Sequence, residues 1–169
     1  MDKSNIRILV LDDDPFMLKL VARMLAGLGF SSVVTCDSGA AALKQLEGAG
    51  NPPNLILLDL VMPEMDGIQF VRKLVEYHYV GSLVVLSGEN ERMLQVAEKL
   101  IEAHKIPVLG YLKKPVSLDD LAGLLGDLHP GDGENRHALP QLARRDRAHR
   151  PHARPTENQK THSRADVTS

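Results

Sequence analysis

Residues 54–67 read N-L-I-L-L-D-L-V-M-P-E-M-D-G. Four aliphatic residues, 55–58, deliver one carboxylate, Asp59, and Pro63 and Gly67 turn the chain a few residues later. An aliphatic run without polar alternation fits a strand covered on both faces, which is the parallel-sheet situation. An acid at the end of such a strand lies at the edge where open α/β sheets bind ligands, because the loops there leave a crevice between helices on opposite faces. Asp59 is therefore the first candidate for chemistry.

The same pattern recurs on both sides of this stretch. Residues 6–11, with only Arg7 polar, form an apolar run ending in Asp12-Asp13-Asp14-Pro15. Pro is tolerated at a first helical position, and Phe16, Leu20, Met24, Leu25 and Leu28 then recur at helical spacing until Gly27 and Gly29 end the element. Residues 32–36 read as a strand and 39–46 as a helix, which Gly50-Asn51-Pro52-Pro53 breaks. After Gly67 the spacing of Ile68, Phe70, Val71, Leu74 and Val75 predicts a helix that stops near Gly81. Residues 83–86 form a fourth strand ending in Ser87-Gly88, and 91–104 a fourth helix. Residues 108–112 form a fifth strand followed by Lys113-Lys114-Pro115. Ser117 caps a last helix, 118–128, with Asp119 and Asp120 favourably placed in its first turn. Strands alternating with helices in this way imply parallel strands, right-handed crossovers and helices on both faces.

Length and charge divide the chain in two. With 169 residues, 43% of them apolar and 25% charged, it holds one domain with a full core and some excess. Residues 1–128 carry 12 Lys and Arg against 17 Asp and Glu, a net −5, whereas residues 129–169 carry 8 against 5, a net +3. The second part also holds five of the seven histidines and no aromatic residue. The expectation is a domain over 1–128 and a disordered basic tail over 129–169. No segment approaches the roughly 18 apolar residues of a membrane span, and the first five residues lack a signal-peptide core, so a cytoplasmic protein without membrane contact is expected. An acidic body argues against nucleic-acid binding, although the tail has the right sign for a polyanion-binding arm. The single cysteine, Cys36, excludes an internal disulfide and reads as a small buried filler.

Four of the five strand ends carry a polar group: Asp12 and Asp13, then Asp59, Ser87 and Lys114. Parallel strands bring these ends to one edge. In a flavodoxin-like order 2-1-3-4-5 the first and third strands are neighbours, so three carboxylates converge. Unpaired, they repel one another and raise each other's pKa. An open carboxylate site of this kind suits Mg²⁺, which keeps waters and also takes a phosphate oxygen. Lys114 offers a point charge and Ser87 a short hydroxyl donor to an attached phosphoryl group. Asp59 is then a nucleophile that forms an acyl phosphate by in-line attack.

The pieces V-L-D-D-D-P, L-L-D-L-V-M-P-E-M-D-G, V-V-L-S-G and G-Y-L-K-K-P occur in that order, and over about residues 6–128 the chain resembles a receiver domain of a bacterial two-component response regulator. The resemblance implies that Asp59 accepts phosphate from the phosphohistidine of a histidine kinase or histidine phosphotransfer protein. It implies that Asp13, Asp59 and the backbone carbonyl of Val61 bind Mg²⁺ directly, with Asp12 acting mainly through water. Ser87 stands where threonine is commoner. Tyr111 matches a switch aromatic that turns inward as the Ser87 hydroxyl moves toward phosphate, and the Lys114–Pro115 bond is expected to be cis. Val61 and Glu89 match positions that tune dephosphorylation, and an apolar Val61 implies a phosphoryl lifetime longer than seconds. Residues 98–112 are similar to receivers fused to cyclic-di-GMP phosphodiesterase (EAL) domains. The output is a change of partner, either an unidentified downstream protein or a second copy of the chain.

One enzyme reading competes. The run I-L-V-L-D-D-D also fits a haloacid-dehalogenase-like phosphatase with Asp12 as nucleophile and Asp14 as acid, although Phe16 stands where Thr or Val is expected and no later acidic pair follows. Asp12-Asp13-Asp14 also has a plainer reading as a solvated turn with a helix cap. Tyr111 has one as a half-buried packing group. The tail after His129, rich in Arg, His and Pro, has a further reading as a frameshifted or truncated remnant of an output protein.

Overall fold

A computed structural model describes residues 3–48, 50–126 and 128. The expectations for the tail, disorder, a polyanion-binding arm or a remnant of another domain, lie outside those residues. After a 3₁₀ turn over Lys3–Asn5 the elements alternate: β1 Arg7–Leu11, α1 Pro15–Gly27, β2 Ser32–Cys36, α2 Gly39–Glu47, β3 Leu55–Asp59, α3 Gly67–Glu76, β4 Ser82–Ser87, α4 Glu91–Ala103, β5 Val108–Lys113 and α5 Leu118–Leu125. These strands make one parallel sheet in the order β2-β1-β3-β4-β5. This is the flavodoxin-like order expected for the sheet.

The central strands are apolar throughout because each face meets a different helical layer. Ile8, Val10, Leu55, Leu57, Val84 and Leu86 point toward α1 and α5, packing with Val21, Leu25, Leu121 and Leu125. Their neighbours Leu9, Leu11, Ile56, Leu58, Leu83 and Val85 point the other way, onto Ala42, Phe70, Val71, Leu74, Ala97 and Ile101. The period-2 alternation of a strand survives, but both phases are buried. Full burial of each such side chain contributes about 1.5–3 kcal/mol, and this fixes the height of β3 and so of Asp59.

Each α-helix among the described residues begins on a side-chain cap: Asp14, Ser38, Asp66, Asn90 and Ser117 each accept a backbone N–H from the first turn. Such a bond stabilises by about 1 kcal/mol and pins the turn that follows each strand. Gly67 lets α3 start hard against the end of β3: a Cβ there would lie 2.7 Å from Leu60 Cα and 3.0 Å from the Asp59 carbonyl oxygen. Gly29, at φ +92°, supplies the left-handed residue after α1.

Several boundaries differ from the sequence reading. The third helix ends at Glu76 rather than near Gly81, because Tyr77 caps it and His78 takes a positive φ of 52°. The last helix stops at Leu125 rather than 128. Phe16, assigned to the apolar stripe of α1, is 69% exposed. The face of α1 that meets the core is set by Met17, Leu18, Val21 and Leu25, and Phe16 falls outside that stripe. Cys36 is buried as expected, and burial, followed by the nearby Asp37 charge, pushes its thiol pKa up.

Candidate functional site

β1 and β3 run side by side, with Leu11 opposite Leu58, so the residues that follow them, Asp12 and Asp59, emerge together at the carboxyl edge of the sheet. The main chain holds both in place beyond the last rung. Asp12 N–H donates to the Cys36 carbonyl at 3.2 Å, and Leu60 N–H to the Leu86 carbonyl at 3.3 Å. Asp59 pairs in register with Leu86, and Ser87 pairs with Lys113. Lys114 N–H then donates to the Ser87 carbonyl at 2.8 Å. The Lys114–Pro115 bond is cis, as the resemblance implied.

Asp12 and Asp59 are each only 1% exposed. Burying two carboxylates is expensive unless a cation accompanies them. Lys114 supplies it: its Nζ lies 2.8 Å from Asp12 Oδ2 and 3.0 Å from Asp59 Oδ2. The contact with Asp59 is a hydrogen bond, whereas Asp12 Oδ2 has close charge contact but no hydrogen bond of good geometry. The other oxygens are engaged locally. Asp12 Oδ1 accepts Asp14 N–H at 2.9 Å, and Asp59 Oδ1 accepts Val61 N–H at 3.1 Å.

The charges show in the titration of these groups. Burial raises the Asp59 pKa and Asp12 adds repulsion; the Val61 N–H and Lys114 pull it down without cancelling the rise. Lys114 is partly desolvated, which favours its neutral form, yet contact with Asp12 and Asp59 holds its pKa above the ordinary lysine value. One lysine thus faces two buried carboxylates and leaves a net negative site.

Exposed Asp13 completes it. Carboxylate oxygens of Asp12, Asp13 and Asp59 lie within 4.8 Å of one another. Three converging carboxylates, one with a buried oxygen lacking a hydrogen bond, are a donor set that fits a hard divalent cation. The residues present therefore fit Mg²⁺.

The other anticipated residues surround this centre. Ser87, half-buried, ends β4 at the same edge; Val61 is 50% exposed and Glu89 exposed in the loop before α4. Tyr111 is on β5, not at the centre. Its hydroxyl pKa is pushed up to about 12, first by burial and then by Glu98 and Glu102 of α4. Asp14, assigned the acid role in the phosphatase reading, instead caps α1 by accepting Phe16 N–H at 2.9 Å. The acidic run is thus both things weighed for it, a cap at its third residue and a charge cluster at the first two. Sequence reasoning missed that Lys114 bridges Asp12 as well as Asp59; a lysine after the fifth strand gives no sign of which carboxylate it reaches. It also read Gly67 only as a turn residue, whereas Gly67 opens α3 in close approach to Leu60.

A parallel five-stranded sheet with two buried acids and a lysine at its carboxyl edge defines a class of α/β domain with a charged site at its strand ends. The family model of the response regulator receiver domain matches residues 8–125, and the chain belongs to that family. Receiver domains are the signalling switches of two-component systems. The chain is similar to the signal transduction histidine-protein kinase BarA of Escherichia coli (strain K12), with 31% identity over 141 residues, 83% of this chain and 15% of the kinase. It is also similar to the positive alginate biosynthesis regulatory protein of Pseudomonas aeruginosa, with 30% identity over 70% of this chain and 45% of the regulator. Both relatives are therefore much longer than the stretch they share with it. Among solved structures, a response regulator from Colwellia psychrerythraea matches with a TM-score of 0.61 and 30% identity, covering 71% of this chain and 93% of that one. No helix among the described residues is long and apolar enough to cross a membrane.

Proposed function

We propose that Asp59 accepts a phosphoryl group from the phosphohistidine of a histidine kinase or histidine phosphotransfer protein, and that the modified domain then changes its binding partner. The observation that carries this reading is Lys114 Nζ bridging two buried carboxylates, at 2.8 Å from Asp12 and 3.0 Å from Asp59. Such a site is negative, buried and already holds one cation, which is what an incoming phosphoryl group with its own cation needs.

An Asp59 carboxylate oxygen attacks phosphorus. The O–P bond forms as the P–N bond to the donor imidazole breaks, and the electron pair returns to that ring nitrogen; because the donor ring carries a proton on its other nitrogen, it leaves as neutral imidazole. Val61 N–H holds the other Asp59 oxygen and so orients the nucleophile. Lys114 supplies positive charge to the phosphoryl oxygens, and Ser87, at the end of β4, a hydroxyl donor. Asp12, Asp13, Asp59 and the Val61 carbonyl would hold Mg²⁺, which when bound neutralises charge on the transferred group. Tyr111, 39% exposed on β5, is the residue that turns inward as Ser87 moves, and Glu89 with Val61 sets access of water to the acyl phosphate. The reaction is confined to the domain's own phosphorylation and dephosphorylation.

Beryllofluoride with Mg²⁺ mimics the phosphorylated state. It is expected to shift the amide resonances of Ser87, Tyr111 and α4 in the native chain and to leave an Asp59→Asn chain unchanged. An equal response in both overturns the assignment.

A further inference from the structure

The face along α4 and β5, which no element among the described residues covers, has a chemistry of its own. Glu91, Gln95, Glu98 and Glu102 recur at three- and four-residue steps, so they share one side of α4. Tyr111, on the edge strand β5, adjoins Glu98 and Glu102 on that side. Among the described residues neither glutamate has an ion-pair partner, and the Tyr111 hydroxyl makes no hydrogen bond. Topology places this face within reach of the chain that follows α5. Both α4 and α5 start at the carboxyl edge of the sheet and run back, so Glu102, in the last turn of α4, and Leu125, at the end of α5, lie at the same opposite edge. Residues 144–150, Arg-Arg-Asp-Arg-Ala-His-Arg, carry four arginines against one aspartate. The 16 residues from 128 to 144 span up to roughly 50 Å when extended.

We infer that residues 144–150 of this chain dock in cis on the Glu98, Glu102 and Tyr111 face of the unphosphorylated protein. Arginine suits this surface better than any other side chain. Its planar guanidinium pairs with carboxylates through a fork of donors and stacks on an aromatic ring, so one residue can engage a glutamate and Tyr111 together. Lys113, the like charge on the same face of β5, lies toward the other edge of the sheet and directs the segment to the Glu102 end. A tether of this length gives an effective concentration on the order of millimolar, so a contact of millimolar affinity is about half occupied. The regulatory consequence, that the segment competes with partners for the face carrying Tyr111, rests on the receiver reading; the contact itself does not.

The test is amide NMR on the full chain without any phosphoryl donor, comparing the native protein with an Arg144→Glu, Arg145→Glu, Arg147→Glu variant. All three substitutions lie outside the described domain. The resonances of Glu98, Glu102 and Tyr111 are expected to differ between the two at about 0.1 M salt. More than half of that difference should be lost near 1 M, where the Debye length falls from ~10 to ~3 Å. Adding Glu98→Lys and Glu102→Lys to the tail variant should restore the salt-sensitive contact with the charges exchanged. Coincident native and variant spectra at low salt overturn the proposal, as does a difference that persists at high salt. A difference that grows with protein concentration also overturns it, because the contact is then between copies. No phosphorylation is involved, so failure here leaves Asp59 as acceptor untouched, and failure of Asp59 to be labelled leaves this contact standing.

Discussion

Replacing Asp59 with asparagine should make the metal-free protein more stable. Asp59 is 1% exposed, and one lysine serves both it and Asp12. Burial and Asp12 repulsion outweigh the Val61 N–H and Lys114, so the folded-state pKa is raised. An acid whose pKa is higher folded than unfolded destabilises the fold when ionised. The penalty is absent below the unfolded value of about 3.9 and complete above the raised folded value. Each tenfold change in proton affinity between the two states corresponds to about 1.4 kcal/mol. Asparagine keeps an oxygen for the Val61 N–H but loses the charge pairing with Lys114, so the net gain is discounted to about 1 kcal/mol, or about 3 °C in Tm for a domain of this size. Thermal melts with a chelator at pH 7 should show the Asp59→Asn chain above the native one, with the gap closing as pH falls toward about 4. Mg²⁺ should also close the gap, by binding the native site more tightly than the variant one. An asparagine chain less stable than the native protein in chelator at pH 7 refutes the argument that this site is charge-frustrated.

Lys114→Met removes the only ammonium contacting the pair among the described residues and is expected to destabilise the metal-free fold by about 2 kcal/mol. That is less than the ~3–5 of a fully buried pair, since Lys114 retains some exposure. Chemical denaturation measures it, and Mg²⁺ should recover part of the loss. Gly67→Ala places a Cβ 2.7 Å from Leu60 Cα and is expected to lower stability by about 1–3 kcal/mol, read as a lower denaturation midpoint at unchanged slope. Val61→Asn, at a half-exposed position, should change stability by less than about 0.5 kcal/mol. It should shorten the acyl-phosphate half-life on the order of tenfold by orienting water. A native half-life of only a few seconds contradicts the role given to Val61.

The strands were legible because their signal is redundant: 55–58, like 8–11 and 83–86, must be apolar on both phases to sit between two helical layers. Helix ends were less so. His78 turns the chain by taking a positive φ, for which its residue type is a weak signal, and Phe16 keeps a helical spacing with Leu20 and Met24 while the buried stripe runs through Met17, Leu18, Val21 and Leu25 instead. The convergence of Asp12 and Asp59 followed once strand order was inferred, since neighbouring parallel strands end together. The sharing of Lys114 did not follow. It depends on where a long side chain comes to rest across three loops, and spacing in sequence does not encode that distance.

The most direct measurement is the identity of the labelled residue. After exposure to a phosphohistidine donor or acetyl phosphate with Mg²⁺, borohydride reduction and peptide mass mapping should find the modification on Asp59 and nowhere else. A label on Asp12, or none on an intact Mg²⁺-bound protein, contradicts the account.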